Sequence, residues 1–75
     1  MSLRITDVDY IKDYTLALTF NDGIKKVIDF QPYLSGKVFE PLLDLKNFKQ
    51  YGLTHWTVEW ASGADFAPEF LYSLQ

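Results

Sequence analysis

The chain has 75 residues, a formal charge of -3, one histidine, no cysteine and 48% hydrophobic residues. That length sets one domain over residues 1–75, and the missing cysteines exclude both a disulfide framework and a thiolate zinc site. The acidic balance argues against a nucleic-acid surface, and no apolar stretch approaches the ~20 residues that span a bilayer.

The N-terminal MSLRITDVDY carries acids early and lacks the apolar run of a signal peptide, so a cytoplasmic protein is expected. A core built from fewer than ~80 residues rarely supplies more than ~3–5 kcal/mol without a staple. With disulfides excluded, aromatic packing or a second chain must make up the difference. The aromatic share is 17%, and large rings bury roughly 150–250 Å² each. A homodimer is compatible with the same argument.

Leu3 to Ile11 reads as a strand in which Val8 and Tyr10 fall out of phase with Ile5, which predicts a bulge or a strand end near Asp7. Tyr14, Leu16, Leu18 and Phe20 alternate with small or polar residues and form one apolar strand face. Asn21-Asp22-Gly23 then gives the strongest hairpin signal in the chain, because Gly supplies a positive φ and Asn and Asp tolerate turn geometry. The return strand is Ile24 to Phe30, with Ile28 and Phe30 directed to the core and Lys25 and Lys26 near the exposed hairpin end.

Beyond Phe30 the period changes. Gln31-Pro32-Tyr33-Leu34 suits one helical turn, and Ser35-Gly36-Lys37 breaks it. Val38 to Leu45 places Phe39, Leu42, Leu43 and Leu45 at near-helical spacing. Asp44 is positioned to cap a further short helix through Phe48 to Tyr51, which Gly52 ends. Leu53 to Trp60 returns to period two, with Thr54, Trp56, Val58 and Trp60 on one face. Ser62-Gly63 is a turn. Asp65 and Pro68 introduce a terminal helix with an apolar stripe of Phe70, Leu71 and Leu74. The expected class is α+β, a small antiparallel sheet in β-β-β-α-β(β)-α order covered on one face by short helices.

The chemistry-bearing residues form no catalytic constellation. His55, between Thr54 and Trp56, lacks a serine nucleophile in an elbow context and reads as a strand residue. Asp7, Asp9 and Asp13 lack the calcium-loop spacing with its central Gly and closing Glu, so they read as a solvated edge; a metal-assisted hydrolase using Asp7, Asp9 and His55 is the least favoured reading. Ser35-Gly36-Lys37 ends like a phosphate loop, but Gln31 stands where that loop needs its first Gly and Val38 where it needs Ser or Thr. Trp56 and Trp60, about 13 Å apart on one strand, could stack bases or sugars, yet a chain this small needs its largest rings for burial. Their neighbours Glu59 and Asp65 also carry the wrong charge for a nucleic acid.

The order of segments resembles a small bacterial family of unknown function, the domain-of-unknown-function family 2442. The resemblance rests on Tyr14 to Phe20 running into Asn21-Asp22-Gly23 and on the return segment Val27-Ile28-Asp29-Phe30. It continues through Phe39, Leu42 and Phe48 and closes on Glu59-Trp60-Ala61-Ser62-Gly63-Ala64-Asp65-Phe66-Ala67-Pro68-Glu69-Phe70-Leu71. It covers nearly the whole chain. It implies a fold like the N-terminal domain of a two-domain bacterial protein that also carries a helix-turn-helix, which these residues lack. It also implies a neighbouring small protein, in a pairing of toxin and antitoxin, and it carries over no catalytic residue. Relatives often turn between His55 and Val58, where this chain shows no obvious turn, so the count of strands there stays open at one or two.

The expected function is therefore a non-catalytic protein-interaction module, an antitoxin-like partner of a small neighbouring protein. No cofactor, metal, membrane or directly bound nucleic acid is expected. Tyr33, Phe39, Tyr51, Trp56 and Tyr72 are the candidate interaction surface. Gly23, Trp60, Gly63, Asp65 and Pro68 are assigned to folding: the glycines to turns, Asp65 to accepting backbone N–H groups at the start of the last helix, Pro68 to opening it, and Trp60 to anchoring it on the sheet. The alternative is a small-ligand-binding or regulatory domain, which predicts a concave pocket beside Trp56 or Trp60.

Overall fold

In the computed structural model, which describes residues 2–74, three strands come first: β1 (Ile5–Lys12), β2 (Thr15–Phe20) and β3 (Lys25–Asp29). They form one antiparallel sheet in the order β1-β2-β3. The β1 ladder slips between Ile5 and Asp7 and again between Tyr10 and Lys12. The first slip is the expected bulge near Asp7. An extra residue inverts the side-chain alternation, so that Ile5 and, beyond the bulge, Val8 and Tyr10 all pack toward the core. The β2–β3 turn is built as its sequence requires. Gly23 takes φ 89°, and the Ile24 N–H donates to Asp22 Oδ1 at 2.9 Å. Asn21 accepts from the Arg4 N–H at 3.1 Å and donates to the Ser2 carbonyl at 2.7 Å, tying the N-terminal segment to the hairpin.

The middle of the chain is made of short pieces. Two 3₁₀ turns, Gln31–Tyr33 and Glu40–Leu43, each begin with Pro at an early position where its missing N–H costs nothing. Asp44 then caps α1 (Leu45–Phe48), its Oδ1 accepting from the Lys46 N–H at 3.0 Å. The helix stops at Phe48, short of the expected end at Gly52. Tyr51 and Gly52 instead belong to β4 (Tyr51–Leu53), which pairs antiparallel with β5 (Val58–Trp60), Gly52 lying opposite Glu59. A separate two-stranded sheet thus stands where one continuous segment from Leu53 to Trp60 also fitted the pattern. Gly63 (φ 91°) closes the turn after β5, and α2 (Pro68–Ser73) ends the described chain.

The helices and the second sheet press on one face of the first sheet. Leu16, Leu18, Phe20 and Ile28 line that face, and Leu34, Leu42, Phe48, Val58, Trp60, Ala64, Phe66 and Leu71 pack onto them. At the centre is a group of rings. Phe30 lies 5.7 Å from Trp60, 5.4 Å from Phe66 and 6.1 Å from Phe48, and Trp60 lies 5.5 Å from Phe48. Edge-to-face and tilted pairs of this kind add about 0.5–1.5 kcal/mol each beyond the area they bury. The Trp60 indole N–H donates to the Phe48 carbonyl at 2.7 Å, so the polar end of the largest core residue is satisfied at the end of α1.

One folding assignment, that of Asp65, is corrected here. Trp60 secures α1 through its N–H, and it meets the approach to α2 through Phe66, whose ring lies 5.9 Å away. Asp65 does not cap α2. The N-cap is Ala67, without a side-chain bond, while Asp65 forms an isolated antiparallel bridge beside β5, opposite Glu59. Ala67 is already extended (φ -62°, ψ 136°) and Pro68 follows, so the helix start is set by the proline without a capping carboxylate.

Replacing Trp60 with Phe deletes ring volume and leaves the buried Phe48 carbonyl without its donor. The expected cost is about 2–4 kcal/mol by urea unfolding. Trp56→Ala is expected to cost less than about 0.5 kcal/mol. Equal costs for the two variants contradict this assignment of the core.

Candidate functional site

Trp56 and Trp60 do not share a strand face. Residues 54–57 form a tight turn between β4 and β5, and its cause is Thr54. The Thr54 Oγ1 accepts from the Trp56 N–H at 3.1 Å and from the Thr57 N–H at 3.0 Å, and it donates to the Thr57 carbonyl at 3.0 Å. The Thr54 N–H donates to the same carbonyl at 2.8 Å. A hydroxyl that bonds backbone two and three residues ahead offers the chain a turn in place of a strand ladder. Thr57 is itself buried and donates to the Phe66 carbonyl at 2.7 Å, which nails the turn to the core. The Trp56 carbonyl accepts from the Ile5 N–H at 2.8 Å, which fixes the turn to the start of β1.

The consequence is a fixed backbone carrying a free ring. Trp60 is 2% exposed and Trp56 is 57% exposed. Leu53, at the end of β4, is exposed on the same hairpin, as is His55. Trp56 therefore stands as a large apolar side chain on a turn where its own backbone groups and those of Thr57 are already engaged inside the protein.

The other members of the expected surface are half-buried and occupy different places. Phe39 stacks on Phe66 at 4.6 Å, Phe66 on Phe70 at 5.8 Å, and Tyr33 meets Phe70 edge-on at 5.4 Å. This chain of rings leads from the core to the surface, with Phe70 39% exposed at its outer end. Of the apolar stripe expected on α2, Leu71 is buried, as is Pro68 at the start of the helix, while Phe70 stands largely outside the core. Tyr51 lies opposite Trp60 in the β4–β5 ladder. Tyr72 packs edge-on against Phe20 at 5.0 Å, and the Lys26 ammonium sits 5.2 Å above its ring while donating to the Leu74 carbonyl. Tyr33, Phe39 and Phe70 thus form one patch, and Trp56, Tyr51 and Tyr72 are not part of it.

The acidic residues keep apart from the histidine. Asp7 and Asp9 are exposed on β1, Asp13 is in the β1–β2 turn with φ 43°, and His55 is in the Thr54 turn. Among the described residues, no three potential ligands of this kind come together. A shallow depression of about 370 Å³ is lined by Lys37, Glu40 and Pro41. Neither tryptophan lines it, so it is a different feature from the pocket that a ligand-binding reading places beside them. No helix of the described chain is long and apolar enough to cross a membrane.

Against this geometry, the sequence model of the family described as "protein of unknown function (DUF2442)" matches residues 5–74. No curated protein and no solved structure matches the chain.

One polar contact of the surface is sensitive to pH. The Tyr72 hydroxyl donates to Asp22 Oδ2 at 2.6 Å. That bond, with the Ile24 N–H second, holds the Asp22 carboxyl below the usual carboxylate range. The same bond pushes the Tyr72 phenol above its ordinary value, because ionisation would face the carboxylate. A depressed carboxylate contributes stability above its unfolded value and loses it as pH falls through the folded one. A raised phenol contributes below its unfolded value and loses it as pH rises through the folded one. Thermal unfolding of the wild type and Tyr72→Phe is therefore expected to differ most near neutral pH. The two curves should begin to converge as pH falls below about 4 and again as it rises above about 10, meeting only beyond the folded-state values. A constant offset across that range contradicts the pairing.

Proposed function

Because the chain belongs to the DUF2442 family, for which the family description assigns no activity, we propose its role from the surface: a non-catalytic recognition module that binds a second small protein through Trp56. The carrying observation is the 57% exposure of a tryptophan on a turn closed by Thr54 and Thr57. Tryptophan dominates binding hot spots because it buries a large area with few rotatable bonds. A backbone already held in one conformation adds little ordering cost on association. Leu53 supplies adjoining apolar area on the same hairpin, and His55 supplies a polar rim. The small core agrees with this role, since most large rings are spent on the fold and Trp56 is not.

The partner that the resemblance suggests is the small protein encoded beside this chain's gene, with this chain in the antitoxin-like role and both in the bacterial cytoplasm. The complex is testable by titration calorimetry with that gene product. Micromolar or tighter binding is expected, and Trp56→Ala should weaken it at least about 30-fold while leaving the unfolding midpoint unchanged. Absence of heat and of co-elution at micromolar concentration contradicts the reading.

A further inference from the structure

The far edge of the first sheet carries a second surface, independent of Trp56. In the β2–β3 ladder the bonded pairs are set by the Phe20 N–H to the Ile24 carbonyl and the Phe30 N–H to the Tyr14 carbonyl, each 2.8 Å. Lys26 and Ile28 share that phase, so their backbone groups face β2. The N–H and C=O groups of Lys25, Val27 and Asp29 face the other way. β3 is the outer strand of its sheet, and among the described residues those outward groups meet no backbone partner.

Natural sheets blunt such edges, and the opposite edge of this sheet shows how. β1 carries two irregularities, the exposed Asp7 and Asp9, and a cover at Ile5 from the Trp56 carbonyl. β3 has neither the irregularities nor the backbone cover, and its exposed charges, Lys25 and Asp29, are of opposite sign. Its register is regular over all five residues, and its central Val27 is 59% exposed. A lone lysine on an edge deters pairing, but here Lys25 is matched by Asp29 four residues later.

We propose that β3 pairs antiparallel with β3 of a second copy of this chain, about a two-fold axis through Val27. In that register Val27 faces Val27 of the other copy, and Lys25 faces Asp29 in both directions. The residues with outward backbone groups are the ones that this register brings opposite each other, so each of the three pairs exchanges two hydrogen bonds. The side chains of all three lie on the outer face of the sheet, giving a central apolar contact flanked by two opposite-charge pairs. A slip by two residues sets Lys25 against Val27 and loses both charge pairs, so the charges select the register. The existing contact of Lys25 with Asp9 is 3.9 Å long between two well-exposed groups, and Lys25 remains available. On the inner face, Lys26 is already turned down onto Leu74 and Tyr72 of its own chain. The product is one continuous sheet from two three-stranded halves. It leaves Trp56, attached to β1 at the other edge, free on each copy.

Sedimentation equilibrium from micromolar to millimolar concentration tests the pairing. The wild type is expected to pass from monomer to dimer. Val27→Pro removes an outward N–H that bonds nothing inside the monomer, so it should stay folded by circular dichroism and monomeric throughout. Lys25→Glu sets like charges opposite each other in both pairs, as does Asp29→Lys, and each should self-associate about tenfold or more weakly than the wild type. An equimolar mixture of Lys25→Glu and Asp29→Lys restores opposite charges in both pairs and should form a heterodimer. Trp56→Ala should dimerise as the wild type does, which separates this surface from the proposed partner site. A wild type that stays monomeric at millimolar concentration overturns the proposal, as does a dimer indifferent to these substitutions or a mixture that stays monomeric. A monomer whose complex with the adjacent gene product is broken by Val27→Pro also overturns it, by giving the edge to that partner.

Discussion

The hydrogen bond from the Trp60 indole to the Phe48 carbonyl, 2.7 Å long, is the constraint from which the packing follows. Indole is the largest ring available to a core, and it carries a donor that must be met wherever it is buried. The end of α1 offers a carbonyl that a short helix leaves unpaired. Joining the two satisfies both and fixes the β4–β5 hairpin to α1. It also positions Phe30, Phe48 and Phe66 around the indole, at centroid distances between 5.5 and 5.9 Å. With no cysteine and 75 residues, this group of rings takes the place that a disulfide or a metal occupies in other small domains.

The same constraint divides the two tryptophans. Trp60 is fixed inward by Phe48, and Thr57, three residues earlier, is fixed inward by the Phe66 carbonyl. The chain between Leu53 and Val58 has to reverse within a few residues, and Thr54 closes that reversal. Trp56 is left on its outer side. The rigidity of the turn and the exposure of the ring thus have one origin, and a recognition role for Trp56 needs no movement of the backbone. The sheet it is tied to ends, on its far side, in the unprotected strand β3. The fold consequently carries an exposed indole at one edge and an outer strand, β3, at the other.

Much of this was legible in the chain. Asn21-Asp22-Gly23 specifies its turn through a side-chain oxygen and a positive φ, and both are present. The phase change between Ile5 and Val8 announces the bulge, because a regular strand cannot turn both inward. Asp44 before Leu45 reads as a cap and acts as one. The less legible features are those where one residue type serves two structures. Thr54 and Thr57 have strand propensity and strand spacing, and the turn shows itself through side-chain bonds that period-two counting ignores. Gly52 suits a helix end and an exposed strand equally, and its partner Glu59 is set by tertiary pairing. Asp65 looks like a cap because a proline helix start follows it, yet Pro68 makes the cap unnecessary. For the surface, the division of the aromatic residues into a Tyr33–Phe39–Phe70 patch and separate Trp56, Tyr51 and Tyr72 depends on contacts between distant segments. The self-complementary charges of β3 were in plain view as Lys25 and Asp29. Their meaning depends on knowing that β3 is an outer strand and which of its backbone groups point outward.

The central claim is that one indole is locked into the fold while the other stands free. Hydrogen exchange of the two indole N–H protons, followed by NMR, addresses it directly. The Trp60 proton should exchange only as the whole domain unfolds, at the rate of the most protected backbone amides, and the Trp56 proton should exchange close to the rate of free indole. Comparable, rapid exchange of both protons would show that Trp60 does not hold the core together and would contradict the account.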